Sequence, residues 1–149
     1  MERGIYRFAL GGFQCVSVRD GALNYPVETF FATVDRDEAE QALRQRGSSP
    51  DQITSTYTCL LVDTGEHKVM IDTGAGNLGD HAPQFFPDID HSTTSTGKIP
   101  EHLTAAGIEP STIDIVIFTH AHPDHVGGTF MDDGGLVCAN AHYFVARAE

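Results

Sequence analysis

The chain has 149 residues, 40% of them hydrophobic and 20% charged, enough for one domain spanning 1–149 with a buried core and too few for two. Asp and Glu outnumber Lys and Arg by 21 to 9, for a formal charge of -12. Such a surface repels phosphate backbones and offers no basic stripe, which argues against a nucleic-acid partner, and no apolar run is long enough to span a bilayer, which argues against a membrane one.

Residues Phe13 to Val18 alternate apolar and polar and predict a first strand, ended by a turn at Asp20-Gly21. Residues Asp35 to Arg46 predict a short exposed helix, with acids in the first turns, arginines in the last and Gly47 as the stop. Thr56 to Asp63 and Lys68 to Asp72 read as two strands joined by the turn Thr64-Gly65-Glu66-His67. The glycine-rich run after Asp72 lacks the spacing of a nucleotide-binding loop. Asp80 to Gly97 reads as a long loop, either a lid or a surface excursion, with Phe85 and Phe86 at its centre as candidate walls of a substrate pocket.

Ile99 to Ala106 predicts a helix closed by Gly107, and Ile113 to His120 a central strand buried on both faces, being β-branched and almost continuously apolar. Two further strand segments are expected at Leu136 to Ala139 and His142 to Ala146. Strands interleaved with helices give an α/β sheet layered with helices. Cys15, Cys59 and Cys138 are widely spaced and form no CxxC pair, so they read as three reduced thiols. The N-terminus also lacks the apolar core of a secretion signal, and the expected location is the cytoplasm.

The chemistry concentrates in Thr119-His120-Ala121-His122-Pro123-Asp124-His125-Val126-Gly127-Gly128. Imidazole and carboxylate are the donors that zinc and other first-row metals prefer. In an extended segment His120 and His122 point the same way and can grip one ion. Pro123 bends the chain, so that Asp124 and His125 are presented differently, and the glycine pair lets backbone come close.

This segment resembles the HxHxDH signature of the metallo-β-lactamase superfamily at every defining position. Val69 to Gly74 is similar to the family's strand ending in DTG, and Leu103 to Gly128, with the opening LGGFQCVSVRDG, resembles the methyl parathion hydrolase and lactonase subgroup. The resemblance implies the N-terminal half of a four-layer αβ/βα sandwich that holds two divalent metals, zinc first, with iron, manganese or cobalt as alternatives. By position it makes His120 and His122 ligands of the first ion and Asp124 and His125 ligands of the second, with Asp124 also orienting the nucleophile. Asp72 then braces the metal loops without being a ligand.

Family members draw further ligands from their C-terminal half, and His142, the one histidine after the motif, lies too near it for that role. The implied function is hydrolysis of a small lactone, ester or phosphotriester by a metal-activated hydroxide. The alternatives are an inactive metal-binding fragment, a thioester hydrolase like glyoxalase II, or iron-based sulfur oxidation. A half-sandwich would also expose an apolar sheet face, through which copies of the chain are expected to associate.

Overall fold

The computed structural model describes residues 4–148. Six strands form one sheet in sequence order: β1 (Ile5–Leu10), β2 (Phe13–Pro26), β3 (Gln52–Asp63), β4 (Lys68–Ile71), β5 (Ile115–Phe118) and β6 (His142–Val145). The first four pair antiparallel, whereas β4, β5 and β6 run parallel. Parallel neighbours need long crossovers. Between β4 and β5 that crossover holds α3 (Leu78–Phe85) and α4 (Ile99–Ala105). Two helices precede it, the single turn α1 (Val27–Phe30) and α2 (Arg36–Gln45).

The predicted helix at 35–46 forms as α2, and Asp35 caps it by accepting from the backbone N–H of Asp37 and Glu38. Such a cap contributes about 1 kcal/mol. The turn at 64–67 is closed by the Thr64 N–H donating to the His67 carbonyl at 3.0 Å. Three expectations are corrected. Asp20-Gly21 does not end the first strand: β2 runs on to Pro26 through a bulge at Arg19–Gly21, because Asp20 is an extra residue that the ladder leaves unpaired. Asp80 to Phe85 is not loop but the body of α3, whose Leu78 and Ala82 recur at helical spacing and pack beside Leu23 and Tyr57. Leu136 to Ala139 makes only one isolated bridge, Phe130 to Leu136, since the chain here folds back around Gly134 and sends Cys138 into the core.

The core lies on one side of the sheet. Val18, Cys59, Leu61, Met70 and Val116 meet Ile99, Leu103 and Ala106 of α4 together with Ile113. Full burial of a side chain the size of Leu or Met is worth about 1.5–3 kcal/mol, so this layer fixes where the strands end. The opposite side is open, as expected for a half-sandwich, but this contradicts the expectation that β5 is buried on both faces. The cross-strand row Tyr6, Ser17, Leu60, Ile71, Ile117 and Phe144 contains Tyr6, Ile117 and Phe144 at 62, 40 and 55% exposure. The β5 strand is therefore buried on one face only, because no described element lies over the other.

Cys15, Cys59 and Cys138 are all buried and free, as the spacing predicts. Burial pushes the Cys59 thiol up and the Cys138 thiol up to about 11. Among the described residues no helix is long and apolar enough to cross a membrane.

Candidate metal centre

The parallel strands β4 and β5 end side by side, and each is followed by a loop at the sheet's C-terminal edge, where open α/β sheets place their sites. After β4 comes Asp72, the one described non-glycine residue with a left-handed backbone, at φ 59°. A carboxylate-bearing residue tolerates this conformation, which is sparsely populated and concentrated at functional sites. After β5 the chain bends at Thr119 and reaches His122, whose backbone is extended at φ -68° and ψ 148°, then makes one turn of helix, α5 (Pro123–Val126), with Pro123 at its first position. Proline suits that position because its missing N–H has no partner to lose.

The two loops are stitched together. The Thr73 N–H donates to the His125 carbonyl at 2.8 Å and the Gly128 N–H to the Gly74 carbonyl at 3.1 Å, while the Thr73 and Thr129 hydroxyls meet at 3.2 Å. A side chain at 128 would place its Cβ 2.0 Å from the Thr73 carbonyl oxygen, so the close approach requires glycine.

Asp72 is 8% exposed and anchors the histidine loop. Its Oδ1 accepts from the Thr119 N–H at 2.8 Å, and its Oδ2 accepts from the Thr119 hydroxyl and from Nδ1 of His125, both at 2.8 Å. These contacts decide the tautomers. A carboxylate only accepts, so His125 carries its proton on Nδ1 and its Nε2 lone pair is free. Thr119 commits its proton to Asp72 and accepts from Nδ1 of His120 at 3.1 Å, which likewise frees Nε2 of His120.

These two nitrogens each meet one further polar side chain. Nε2 of His120 lies 3.1 Å from Nδ1 of His122, and Nε2 of His125 lies 3.5 Å from Oδ2 of Asp124. Two ligands of one tetrahedral zinc, each about 2.0–2.1 Å from it, stand about 3.3 Å apart, so both separations suit a shared ion. The rings of His120 and His125 are 3.9 Å apart between centroids, which sets the pairs side by side. Among the described residues no three His, Cys, Asp or Glu side chains form a group fit to hold one ion.

The other residues singled out from the sequence lie elsewhere. His142 pairs with Ile115 at the start of β5, the opposite edge of the sheet from the cluster. Phe85 is 64% exposed on α3, and Phe86 stacks edge-on against Tyr25 at 5.2 Å. Both line a cavity of about 420 Å³ with Pro26, Arg36 and Ile89, which the histidine loop does not border. Two contributors were not foreseen. Thr119 sets a histidine tautomer, and only its place beside the motif hinted at a role. Asp20 is fully buried, and its Oδ2 accepts from the Ala75 N–H at 2.9 Å while Oδ1 accepts from the Ile99 N–H at 3.3 Å. It thereby ties the loop beneath the cluster to the start of α4. An acid inside an otherwise alternating strand was its only signal.

The sequence model of the family described as the metallo-beta-lactamase superfamily matches residues 33–131. The chain belongs to that superfamily. Among solved structures, it is similar to AidC, a dizinc quorum-quenching lactonase in complex with a product, with a TM-score of 0.81 and 26% identity. That likeness covers 97% of this chain and 45% of the lactonase. The hydrolase AbOPH of the beta lactamase superfamily aligns with a TM-score of 0.76 and 25% identity, over 99% of this chain and 46% of its own. The chain thus spans somewhat under half the length of these two structures.

Proposed function

We propose that this superfamily member acts as a metal-dependent hydrolase of small lactones, esters or phosphotriesters, with His120 and His122 holding one divalent ion and Asp124 and His125 a second. The observation that carries the reading is the pairing of donor atoms, 3.1 Å and 3.5 Å apart, over a carboxylate that fixes the His125 tautomer. Metal-bound imidazoles commonly donate their second N–H to such a carboxylate, and Asp72 stands in that relation to His125. Zinc is the favoured metal on donor type, with iron, manganese and cobalt next. The lactonase activity and the zinc pair of AidC support the choice of substrate class and metal.

Bound divalent ions supply a hydroxide at neutral pH and polarise the substrate oxygen. The protein's own part is positional. Thr119 and Asp72 hold His120 and His125 through their Nδ1 atoms, which leaves Nε2 on the far side of each ring. The Asp124 side chain is 31% exposed, so its carboxylate keeps access to solvent. It is placed to orient a water or take its proton if substrate brings that water within hydrogen-bond reach. Buried, free thiols agree with a reducing compartment such as the cytoplasm.

A second reading has one observation in its favour. Each donor pair leaves half of a four-coordinate ion to other ligands, and no three-donor group exists among the described residues. On that reading the chain is a metal-binding fragment without turnover. Zinc content and hydrolysis of an aryl ester and a lactone, measured on one purified sample, separate the two. Two zinc ions per chain with turnover support the hydrolase. Weakly held zinc below one per chain with no turnover supports the fragment.

A further inference from the structure

The cavity between the β2 bulge and the start of α4 is unlike the rest of this acidic surface. It measures about 190 Å³ and is lined by Arg19, Lys98 and His102 together with Thr93, Thr94 and Ser95. Only 9 residues of the whole chain are Lys or Arg, against 21 acids, yet two of the nine and a histidine border this one cavity. We propose that it binds a small tetrahedral oxyanion, inorganic phosphate or the phosphoryl end of a small phosphomonoester.

The side chains there are available for a ligand. Arg19 makes one long contact, Nε donating to the Gly21 carbonyl at 3.4 Å, which leaves both terminal nitrogens of its guanidinium without a partner among the described residues. Lys98 has a single charged neighbour, Glu101, at 3.9 Å, and that glutamate side chain is 71% exposed. His102 uses Nδ1 on the Arg19 carbonyl at 2.6 Å, so Nε2 is its remaining ring nitrogen. The Thr93 and Ser95 hydroxyls have no hydrogen-bond partner among the described residues, whereas the Thr94 hydroxyl donates to the His91 carbonyl at 3.2 Å. A guanidinium, an ammonium and two hydroxyls offer several donors from different directions. That suits an anion with three or four acceptor oxygens better than a planar carboxylate.

The walls are held independently of any ligand. The Ala22 N–H donates to the Ser95 carbonyl at 2.9 Å, and the Arg19 N–H to the Gly4 carbonyl at 2.8 Å. A side chain at 21 would bring its Cβ 1.9 Å from the Ser95 carbonyl oxygen, so the strap at 93–95 can lie on the bulge only because residue 21 is glycine. The same bulge turns Asp20 toward the Ala75 N–H, in the loop that follows β4. An anion held by Arg19, Lys98 and the strap would therefore stabilise the bulge.

The inference does not depend on the metal reading. Phosphate also binds metal ions, so the test uses chelator-treated protein and repeats each point with zinc present. Phosphorus NMR line broadening and thermal melts are followed as inorganic phosphate, glycerol phosphate or sodium chloride is added at matched ionic strength. The expected result is saturable binding of phosphate with a rise in Tm that chloride does not give. Arg19→Gln and Lys98→Gln should each weaken it about tenfold or more, the loss of one charged hydrogen bond, while the remote Arg46→Gln leaves it unchanged. Tighter binding of glycerol phosphate than of phosphate assigns the cavity to a phosphomonoester, and the reverse order assigns it to the free ion. No saturable binding, or equal binding by wild type, Arg19→Gln and Lys98→Gln with unchanged circular dichroism, would overturn the proposal.

Discussion

Replacing Asp72 with Asn separates bracing from ligation. Asn tolerates the left-handed backbone at φ 59°, so the fold of the loop should survive. Its carbonyl oxygen can still accept from the Thr119 N–H, now 2.8 Å from Oδ1. What changes lies at Oδ2, which accepts from Nδ1 of His125 and from the Thr119 hydroxyl, both at 2.8 Å: an amide N–H there would point at Nδ1 and leave the hydroxyl to Oδ1, now 3.1 Å away. His125 then carries its proton on Nε2, the nitrogen that faces Asp124 and any shared ion. Loss of such an outer partner weakens metal affinity about 10–100-fold, or about 1.4–2.7 kcal/mol. Apo stability should move by about 1 kcal/mol or less, the net worth of one hydrogen bond. Competition against a zinc chelator gives the affinity, and urea melts of metal-free protein give the stability. Zinc affinity within twofold of wild type, with an unchanged melt, would refute the bracing argument.

Gly128→Ala should destabilise the fold by about 1–3 kcal/mol in urea melts, since its Cβ would stand 2.0 Å from the Thr73 oxygen; an unchanged midpoint would show that the two loops can separate freely. Asp20→Ala strips the acceptor from the Ala75 and Ile99 N–H groups at a fully buried position and should cost about 2–5 kcal/mol, with a loss below 1 kcal/mol counting against it. The Cys138 thiol is held neutral up to about 11 against an ordinary value of 9.0, so the unfolded chain ionises first and stability should fall as pH rises between those values. Cys138→Ala should flatten that part of a pH series of melts, and an identical slope would contradict it. The open row of Tyr6, Ile117 and Phe144 should drive self-association of the purified chain, and Ile117→Lys with Phe144→Lys should reduce it in light scattering; a monomeric wild type would count against the row as a sticky face.

Where a local rule set the structure, the sequence was readable. Asp35 with its following acids specified a helix start, and Lys68 to Asp72 with the turn before it specified the second arm of a hairpin. The nearness of His120 to His122 and of Asp124 to His125 agrees with their crowding into one short segment directly after β5. What escaped depended on contacts distant in sequence. The bulge at Asp20 exists because its carboxylate has buried N–H partners at Ala75 and Ile99, more than fifty residues away. The residues of α3 include Gly79 and Pro83, weak helix formers that hide a helix held by packing on β2. The apolar run of β5 suggested burial on both faces, because composition records what a strand can bury and not which layers are there to cover it.

The most direct test of the paired centre is a cobalt titration followed by visible absorption, on wild type and on two double variants, His120→Ala with His122→Ala and Asp124→Ala with His125→Ala. Two equivalents bound by wild type and one by each double variant is the predicted result. Equal uptake by all three proteins, or no protein-bound cobalt spectrum in wild type, would contradict it.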